Sequence, residues 1–376
     1  MKIIILTTDI ESPTALRFES AIKDRGHEAV IVDPQAFIIH VEDGVTPLYY
    51  EGLPLESVDG VIPIISPMHA AVLRQLEQQG AFSLNHSISA NISRDKLRTI
   101  QILNRSGVPV PPTAFVYLDT GVGEAIKRLG GAPVVIKLTD SDFEEGVMLA
   151  QTNTSARAIV ETLQVAGKHV LVQKFLTRDT LDDYRAIVLG DTVLAAVKRA
   201  DIEEESSAIH SAGIIESVDL PEDFKKTAIK AARAIGLRFA TVDLVSTNSG
   251  PVVLEINPTP EITAIEKITG IDIAARVVEF IEEQRPFPDL DIRERLHLAK
   301  GYGVVEIYVA ENSILAGKSF EETEFKKNGI RPLGVTRKKR TVPNPKYDFK
   351  IAAGDVIICF GKLSVLRDYK TGKADI

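Results

Sequence analysis

The feature that most constrains the fold is a regular alternation of short, β-branched apolar runs with amphipathic stretches through the first 88 residues. This alternation predicts strands at 2–6, 29–32 and 60–64 and helices at 13–25 and 70–79. Strands separated by helices pair in parallel, because each helix returns the chain to the same end of the sheet. We therefore predict an N-terminal parallel α/β domain over residues 1–88.

Residues 89–284 show a different pattern, in which hairpins are mixed with helices, and this predicts an α+β domain with antiparallel pairing. The predicted strands lie at 132–138, 169–175, 183–189, 192–198, 239–245 and 251–256. The predicted helices lie at 93–106, 123–129, 155–164, 224–235 and 273–284. Ser93 is expected to cap the first of these helices, because a serine hydroxyl accepts from free N–H groups at a helix start.

A proline-containing segment at 285–302 is typical of a linker, and it precedes a last domain predicted over residues 303–370. Basic residues outnumber acidic ones in this domain, whereas the reverse holds in the rest of the chain. Its basic run at 337–340 is expected on a loop, either as an ordinary solvated surface or as an anion-binding patch.

Composition excludes several classes of protein. The 376 residues carry a formal net charge of -8, which argues against nucleic-acid binding as the main task. The single cysteine, Cys359, excludes an intramolecular disulfide and a Cys-based zinc site, and it fits a reducing compartment. No apolar run is long enough for a transmembrane helix, and the N-terminus lacks a signal-peptide pattern, so we expect a cytoplasmic protein without membrane insertion.

Two lysines are candidates for binding an anion. Lys137 interrupts an apolar strand, where a charge is costly unless it meets a counter-ion such as phosphate. The alternative is a strand-end lysine that extends to solvent. Lys96 follows a predicted helix start, close to where an anion could bind, although an exposed lysine is ordinary there.

Three oxygen-bearing side chains are candidates for binding a metal. Glu255 and Asn257 lie two residues apart in one predicted strand and so point to the same face, and a neighbouring strand could bring Asp243 beside them. Such ligands suit Mg²⁺, which prefers one or two carboxylates plus waters and substrate phosphates. The Glu-x-Asn pattern alone is common by chance.

Together these residues resemble the RimK-like α-L-glutamate ligases of the ATP-grasp superfamily, which join a carboxylate to an amine through an acyl-phosphate made from ATP. The resemblance covers residues 1–284, and it is carried by 93–103, 130–138, 171–176, 183–185, 250–260 and 265–274. It implies a three-part ATP-grasp body, which is an N-terminal parallel α/β domain plus two α+β subdomains, with a lid near 107–175. The implied substrates are a small-molecule or peptide carboxylate and an amine.

Carried over by position, the resemblance implies the roles of individual residues. Lys96 and Lys137 would contact ATP phosphates, and Arg185, with Lys137, would be catalytic. The nucleotide would also be bound by the strand residues Gln173, Lys174, Phe175 and Leu176 and by Asp183. Asp243, Glu255 and Asn257 would hold Mg²⁺ or Mn²⁺.

The chain departs from the family pattern in two loops. At 140–147 acidic residues replace most of a glycine-rich phosphate loop, and only Gly146 is kept. At 201–213 two arginines and an asparagine of the substrate loop are lost, and acidic residues precede them. Lys174, Ile64 and Glu261 are further replacements. Two readings stay open: a working ligase with an altered, cationic substrate, or a catalytically degenerate nucleotide sensor.

Residues 303–368 resemble the TrkA-C, or RCK-C, module, which is usually found on regulators of potassium transport. The resemblance is carried by 304–309, 313–320 and 348–361. It implies a small α/β domain that regulates or oligomerises the protein and that can bind a small effector. A sensor linked to potassium transport would fit this module, and we expect a homo-oligomer. Cys359 is expected to be a buried apolar residue in this domain.

Overall fold

The structure is a computed structural model, and it describes residues 1–42, 46–65, 69–117, 121–139, 146–176, 182–200, 213–285, 301–338 and 340–371. The chain forms two compact units, Met1–Pro288 and Asp289–Ile376. No helix among the described residues has both the length and the apolar character needed to cross a membrane.

The chain begins with the predicted parallel sheet. Its elements are β1 (Lys2–Thr7), α1 (Pro13–Asp24), β2 (Glu28–Val32), β3 (Phe37–Ile39), β4 (Leu48–Tyr50), β5 (Leu53–Pro54), β6 (Gly60–Ile64), α2 (Ala70–Gln78) and β7 (Phe82–Ser83). The order β2-β1-β6-β7 is parallel throughout, which confirms the α/β prediction. The small antiparallel sheet β3-β4-β5 was not predicted, because strands of two or three residues leave no periodic signal.

A second sheet follows, with helices on one face. The elements are α3 (Ser87–Arg94), α4 (Lys96–Arg105), β8 (Thr113–Phe115), α5 (Val122–Arg128), β9 (Val134–Leu138), β10 (Val147–Ala150), α6 (Asn153–Val165) and β11 (Val170–Lys174). The strand order is β10-β9-β11-β8, with antiparallel pairing. Val134, Ile136, Val170 and Val172 point to the core beneath α5 and α6, so the opposite face is left for other contacts.

The prediction that Ser93 caps a helix is wrong. Ser93 lies in α3, and its hydroxyl donates to the carbonyl of Ala90 at 2.8 Å. Asp95 caps α4 instead, because its carboxylate accepts from the backbone N–H of Arg98 at 2.9 Å. Aspartate is as good a cap as serine, so residue type alone does not distinguish Ser93 from Asp95.

The third part of this unit is built on a five-stranded antiparallel sheet. Its elements are β12 (Asp183–Leu189), β13 (Thr192–Ala200), β14 (Gly213–Ser217), α7 (Glu222–Ile235), β15 (Phe239–Thr247), β16 (Gly250–Asn257), α8 (Thr263–Thr269) and α9 (Ile273–Gln284). The order is β14-β13-β12-β15-β16. One face packs with α7, and the other shares a core with α1, α8 and α9. The α+β prediction is confirmed.

The C-terminal unit is a four-stranded antiparallel sheet of order β17-β20-β18-β19. Its elements are β17 (Tyr302–Tyr308), β18 (Arg331–Arg337), β19 (Arg340–Pro343), β20 (Val356–Lys362) and α10 (Leu363–Thr371). Cys359 is fully buried, as predicted, and burial raises the pKa of its thiol to about 12. The loop predicted at 337–340 is wrong at its ends, since Arg337 and Arg340 are paired across a hairpin. Lys339 lies outside the described residues.

Candidate functional site

The candidate site lies on the face of the five-stranded sheet that also carries an apolar core. In β12 the side chains of Ile187 and Leu189 belong to that core, and Asp183 and Arg185 precede them on the same face. Arg185 pairs with Asp243 of β15 across the sheet. The face therefore changes from apolar to charged within one strand, and the charged end is the candidate site.

The three predicted metal ligands meet at this charged end. Asp243 lies directly opposite Glu255, and Thr241 lies opposite Asn257, in the antiparallel pair of β15 and β16. A register shift next to Asp243 leaves one residue of β16 unpaired, which is the pattern of a β-bulge. The structure thus confirms the expectation that a neighbouring strand brings Asp243 beside Glu255.

Asp243 is almost fully buried and is bound by two arginines. Arg185 donates to both of its oxygens, from Nε to Oδ1 at 2.8 Å and from Nη2 to Oδ2 at 2.9 Å. Arg199 approaches Oδ2 with Nη1 at 3.1 Å. Arg199 also donates from Nη2 to both oxygens of Asp183, at 2.9 and 3.0 Å. Two aspartates and two arginines therefore form one network that is neutral overall.

Glu255 shares a small cavity of about 30 Å³ with Lys96 and Lys137. Burial raises the pKa of Glu255 to about 7, although Lys137 and, to a smaller extent, Lys96 act to lower it. Burial likewise lowers the pKa of Lys137, while Glu255 and Asp243 raise it. The alternative of a lysine that extends to solvent is therefore wrong for Lys137, which is 6% exposed and faces two carboxylates.

Lys96 is the first residue of α4, directly after the capping Asp95. Its Nζ donates to the carbonyl of Leu138 at 3.2 Å, so the side chain spans from the helix start to the end of β9. Because Lys96 is also largely buried, it brings a second ammonium group to the cavity of Lys137. The helix start and both lysines thus give this end of the site positive potential.

The donor set fits Mg²⁺. The described residues contain no group of three or more His, Cys, Asp or Glu side chains that could hold a metal ion, so a cation here would rely on two carboxylates and an amide. Mg²⁺ is typically held by one or two carboxylates together with substrate phosphates.

Asn257 is the least available of the three ligands. Its Oδ1 accepts from the backbone N–H of Thr259 at 2.8 Å and from the Thr259 hydroxyl at 3.0 Å. These bonds close the turn that follows β16, and an amide oxygen has two lone pairs. Asn257 would have to give up one of the two bonds to ligate a cation.

The predicted nucleotide-binding residues begin in β11, which pairs with the strand of Lys137. Gln173 is two residues from Leu171, which pairs with Lys137, so the three side chains share one face. Gln173 is buried, and its Nε2 donates to the hydroxyl of Thr113 at 3.0 Å. Lys174 is exposed at the end of β11, and Phe175 and Leu176 follow it. Nothing in these contacts tests their roles, which stay predictions.

The two loops that depart from the family pattern lie mostly outside the described residues, at 140–145 and 201–212. Gly146, the glycine kept from the phosphate loop, is described. Its φ is +72°, and a Cβ built there would lie 2.5 Å from Cδ1 of Leu138. Only glycine fits this position without rearrangement.

Glu261, another replacement, contacts the N-terminal domain. Its carboxylate accepts from the hydroxyl of Thr14 at 3.1 Å, and Thr14 is a buried residue of α1. This contact places the segment after β16 against α1. Ile64 ends β6, next to β1 in the same sheet.

Sequence reasoning missed two residues that organise the site. One is Arg199, whose place beside Lys198 in an apolar strand was an available signal. The other is Asn85, which is buried and donates to the carbonyls of Phe239 and Pro258 at 2.7 and 2.8 Å. Its Oδ1 accepts from the N–H groups of Arg238 and Phe239, both at 3.0 Å. Asn85 thus ties the start of β15 to the turn after β16, and no sequence signal indicated this.

Comparison with protein families gives three matches along the chain. Residues 1–90 match the RimK pre-ATP-grasp domain, residues 93–281 match the RimK-like ATP-grasp domain, and residues 304–370 match the TrkA-C domain. The three matches follow one another without overlap.

The curated relatives are similar over most of their length. A protein of Rhodopirellula baltica named "Probable alpha-L-glutamate ligase" is 38% identical over 372 residues, which cover 98% of this chain and 92% of that protein. A protein of the same name from Picosynechococcus sp. is 37% identical over 288 residues, covering 75% of this chain and 96% of its own. The first similarity thus extends through the C-terminal unit.

Solved structures show the same fold. The RimK domain protein ATP-grasp from Sphaerobacter thermophilus superposes with a TM-score of 0.60 at 23% identity, covering 74% of this chain and 99% of that one. The ATP-grasp ligase PsnB, solved with a minimal precursor, gives a TM-score of 0.61 at 18% identity, covering 76% and 99%. A related PsnB structure contains Mg and ADP.

Proposed function

This chain belongs to the RimK-like ATP-grasp ligases, and from that premise we propose that it binds ATP with Mg²⁺ and joins a glutamate to an amine through an acyl-phosphate. The observation that carries the proposal is the meeting of Lys96, Lys137 and Glu255 in one cavity, with Asp243 directly opposite Glu255. Phosphoryl transfer needs positive charge and a metal-binding carboxylate pair in one place.

The lysines would bind the phosphates. Lys137 is held on the rigid strand β9, and Lys96 is held at the start of α4, so neither ammonium group has to be ordered when ATP binds. Both are largely buried, which strengthens their interaction with an anion. Phosphate oxygens would also provide the additional negative charge that favours the protonated form of Lys137.

Asp243 and Glu255 would hold the cation, with Asn257 as the third ligand. Bound Mg²⁺ would neutralise negative charge on the transferred phosphate. Arg185 lies beside Asp243 with its side chain 21% exposed, so it can reach toward substrate as well as toward the carboxylate. We assign it the task of stabilising charge on the substrate carboxylate or on the transferred phosphoryl group.

The nucleotide base would lie at the end of β11, where Gln173 shares a face with Lys137 and is followed by Lys174, Phe175 and Leu176. Asp183 would act indirectly, because both its oxygens are bound by Arg199. Mn²⁺ could replace Mg²⁺ in such a site, since both ions accept oxygen ligands in octahedral geometry.

The acceptor is proposed to be a cationic amine, such as a polyamine or a basic peptide. Acidic residues in 140–145 and 201–205 and the loss of arginines in the substrate loop support this proposal. Glu261, which lies against α1, adds a carboxylate on the side of the N-terminal domain. The relatives named for glutamate ligation support glutamate as the other substrate.

The C-terminal unit would regulate the ligase by binding a small effector, and the whole chain would act as a homo-oligomer in the cytoplasm. The TrkA-C match supports a regulatory role. Nothing in the comparisons favours a degenerate sensor over a ligase.

The test is phosphate release by the full chain with ATP, Mg²⁺, glutamate and a panel of cationic and neutral amines. We expect turnover with a cationic amine and a loss of about 100-fold or more in Lys137→Ala, because a preorganised charge at the phosphates is removed. A matched control is Lys127→Ala, which removes an exposed lysine of α5 that has no proposed role in binding. A wild-type rate no higher than that of Lys137→Ala for every amine would refute the ligase activity.

A further inference from the structure

Arg199 is a buried arginine that joins two carboxylates of the candidate site. It is only 4% exposed, and it lies on β13, opposite Asp183 of β12. Asp243 lies one strand further, on β15, opposite Arg185. Arg199 therefore reaches diagonally across β12 to contact both aspartates.

We infer that Arg199 is a positioning residue that fixes the carboxylates of Asp183 and Asp243 as one unit and leaves Arg185 as the exchangeable partner of Asp243. This inference rests on the proposed nucleotide and metal site. Arg199 itself would not contact substrate, because its side chain is only 2% exposed.

The division of work between the two arginines follows from geometry and burial. Arg199 uses Nη2 for both oxygens of Asp183 and Nη1 for Oδ2 of Asp243, so its planar group holds the carboxylates in a fixed relation. Arg185 donates to both oxygens of Asp243, but its side chain is 21% exposed. If Arg185 moved away from Asp243, solvent or substrate could replace its contact. If Arg199 moved away, the buried carboxylates of Asp183 and Asp243 would lose a partner that solvent cannot replace.

This arrangement matters for a metal-binding carboxylate. Asp243 would have to keep its orientation if a cation were held there in place of part of its contact with Arg185. Arg199 approaches Asp243 at Oδ2 and holds it to Asp183, so the carboxylate stays oriented during that exchange. A lysine at this position would keep the charge but could not bridge two carboxylates with one planar group.

The test measures ADP binding to the full chain by calorimetry over a series of Mg²⁺ concentrations. Mg²⁺ should raise the affinity for ADP, and we call the concentration that gives half of this gain the Mg²⁺ midpoint. For Arg199→Lys we expect the Mg²⁺ midpoint to rise about 10-fold or more. ADP affinity without Mg²⁺ should change far less, because the Arg199 side chain is 2% exposed and would not contact the nucleotide. The matched control is Arg233→Lys, since Arg233 also pairs with an aspartate, Asp191, but its side chain is 61% exposed.

An unchanged Mg²⁺ midpoint in Arg199→Lys would overturn the inference. Wild-type protein that binds no ADP even with Mg²⁺ would instead contradict the proposed function, so the two failures are distinguishable. If Arg199→Lys does not fold, the double variant Arg199→Met with Asp183→Asn keeps the cluster neutral and is compared with Asp183→Asn alone. A higher Mg²⁺ midpoint in the double variant supports the inference, and equal midpoints overturn it.

Discussion

Each compact unit contains an Arg–Asp ion pair, and the two pairs differ in what they do. One stabilises a turn, and the other belongs to the candidate site. In the C-terminal unit, Arg337 donates to both oxygens of Asp355, at 2.8 Å each, and to the carbonyl of Lys350. The backbone N–H of Ala352 also donates to Asp355, and the guanidinium lies over the ring of Phe349. Asp355 is fully buried, and its hydrogen bonds fasten the turn before β20 to the hairpin of β18 and β19.

The pair of Arg199 and Asp183 is instead shared with Asp243 and Arg185. There both partners are buried, and Asp243 of the network lies opposite Glu255, which shares a cavity with Lys96 and Lys137. The comparison teaches that an ion pair closed by backbone groups maintains a fold. An ion pair whose members are shared, and which lies beside further buried charged groups, can exchange one partner for a ligand.

The largest expected effect separates the two pairs by activity. Asp243→Asn removes a charge of the proposed metal site and should lower the rate of phosphate release about 100-fold or more. Asp355→Asn, in the other pair, should leave that rate nearly unchanged, because the hydrogen bonds of Asp355 tie together parts of the C-terminal unit. The measurement is steady-state phosphate release with ATP and Mg²⁺. Equal losses in the two variants would remove the distinction between them.

The next effect sharpens the comparison through stability. Asp355→Asn replaces a buried carboxylate that accepts charged hydrogen bonds, and it should cost the C-terminal unit about 2 kcal/mol. Although burial raises the pKa of Asp355, the hydrogen bonds from Arg337 and Ala352 lower it below the usual value, so the native state favours the ionised group. Hydrogen exchange of the peptides around 331–362 in the full chain measures the loss. Glu311→Gln, an exposed carboxylate of the same unit, is the control, and it should exchange as wild type does.

A third pair gives the smallest effect. Glu282 of α9 accepts from Arg25 at 2.9 and 2.6 Å and lies 2.7 Å from Nε2 of His27, and its side chain is 28% exposed. The hydrogen bond from Arg25 is the main reason why the pKa of Glu282 is lowered to about 2. Because the folded pKa lies below the unfolded one, the stabilisation is present above pH 4.5 and is lost as the pH falls toward 2.

Allowing for screening at a partly exposed site, this contribution should be about 1 kcal/mol. The measurement is urea unfolding of wild type and Glu282→Gln at several values of pH between 2 and 6. The difference between the two proteins should be largest at pH 6 and should shrink on acidification. A constant difference would show that Glu282 acts through packing and not through its charge.

The sequence predicted most regular elements because their patterns are local. β12 and α9 begin and end where they were predicted, since apolar periodicity and flanking turn residues mark both ends. The cap of α4 was misplaced because Ser93 and Asp95 are chemically equivalent caps, and only the contacts of the folded chain choose between them. β10 was missed because it is four residues long and directly follows the substituted loop.

In the candidate site, too, the sequence predicted some features and only the folded contacts revealed others. Residue types and spacing, together with family resemblance, indicated Lys96, Lys137, Arg185, Asp243, Glu255 and Asn257. They could not indicate that Asp183 is bound by Arg199, or that Asn85 ties two ends of the site together. These contacts join residues that are 16 to 173 positions apart in the chain.

By itself, then, the sequence determined the α/β and α+β architecture and the inventory of charged groups, because strand and helix periods and side-chain chemistry are properties of short segments. Only the tertiary structure decided which charged groups pair with one another and which lie together where a ligand could bind. The reason is physical: the register of β12, β13, β15 and β16 sets which side chains meet, and burial then sets the energy of each charge.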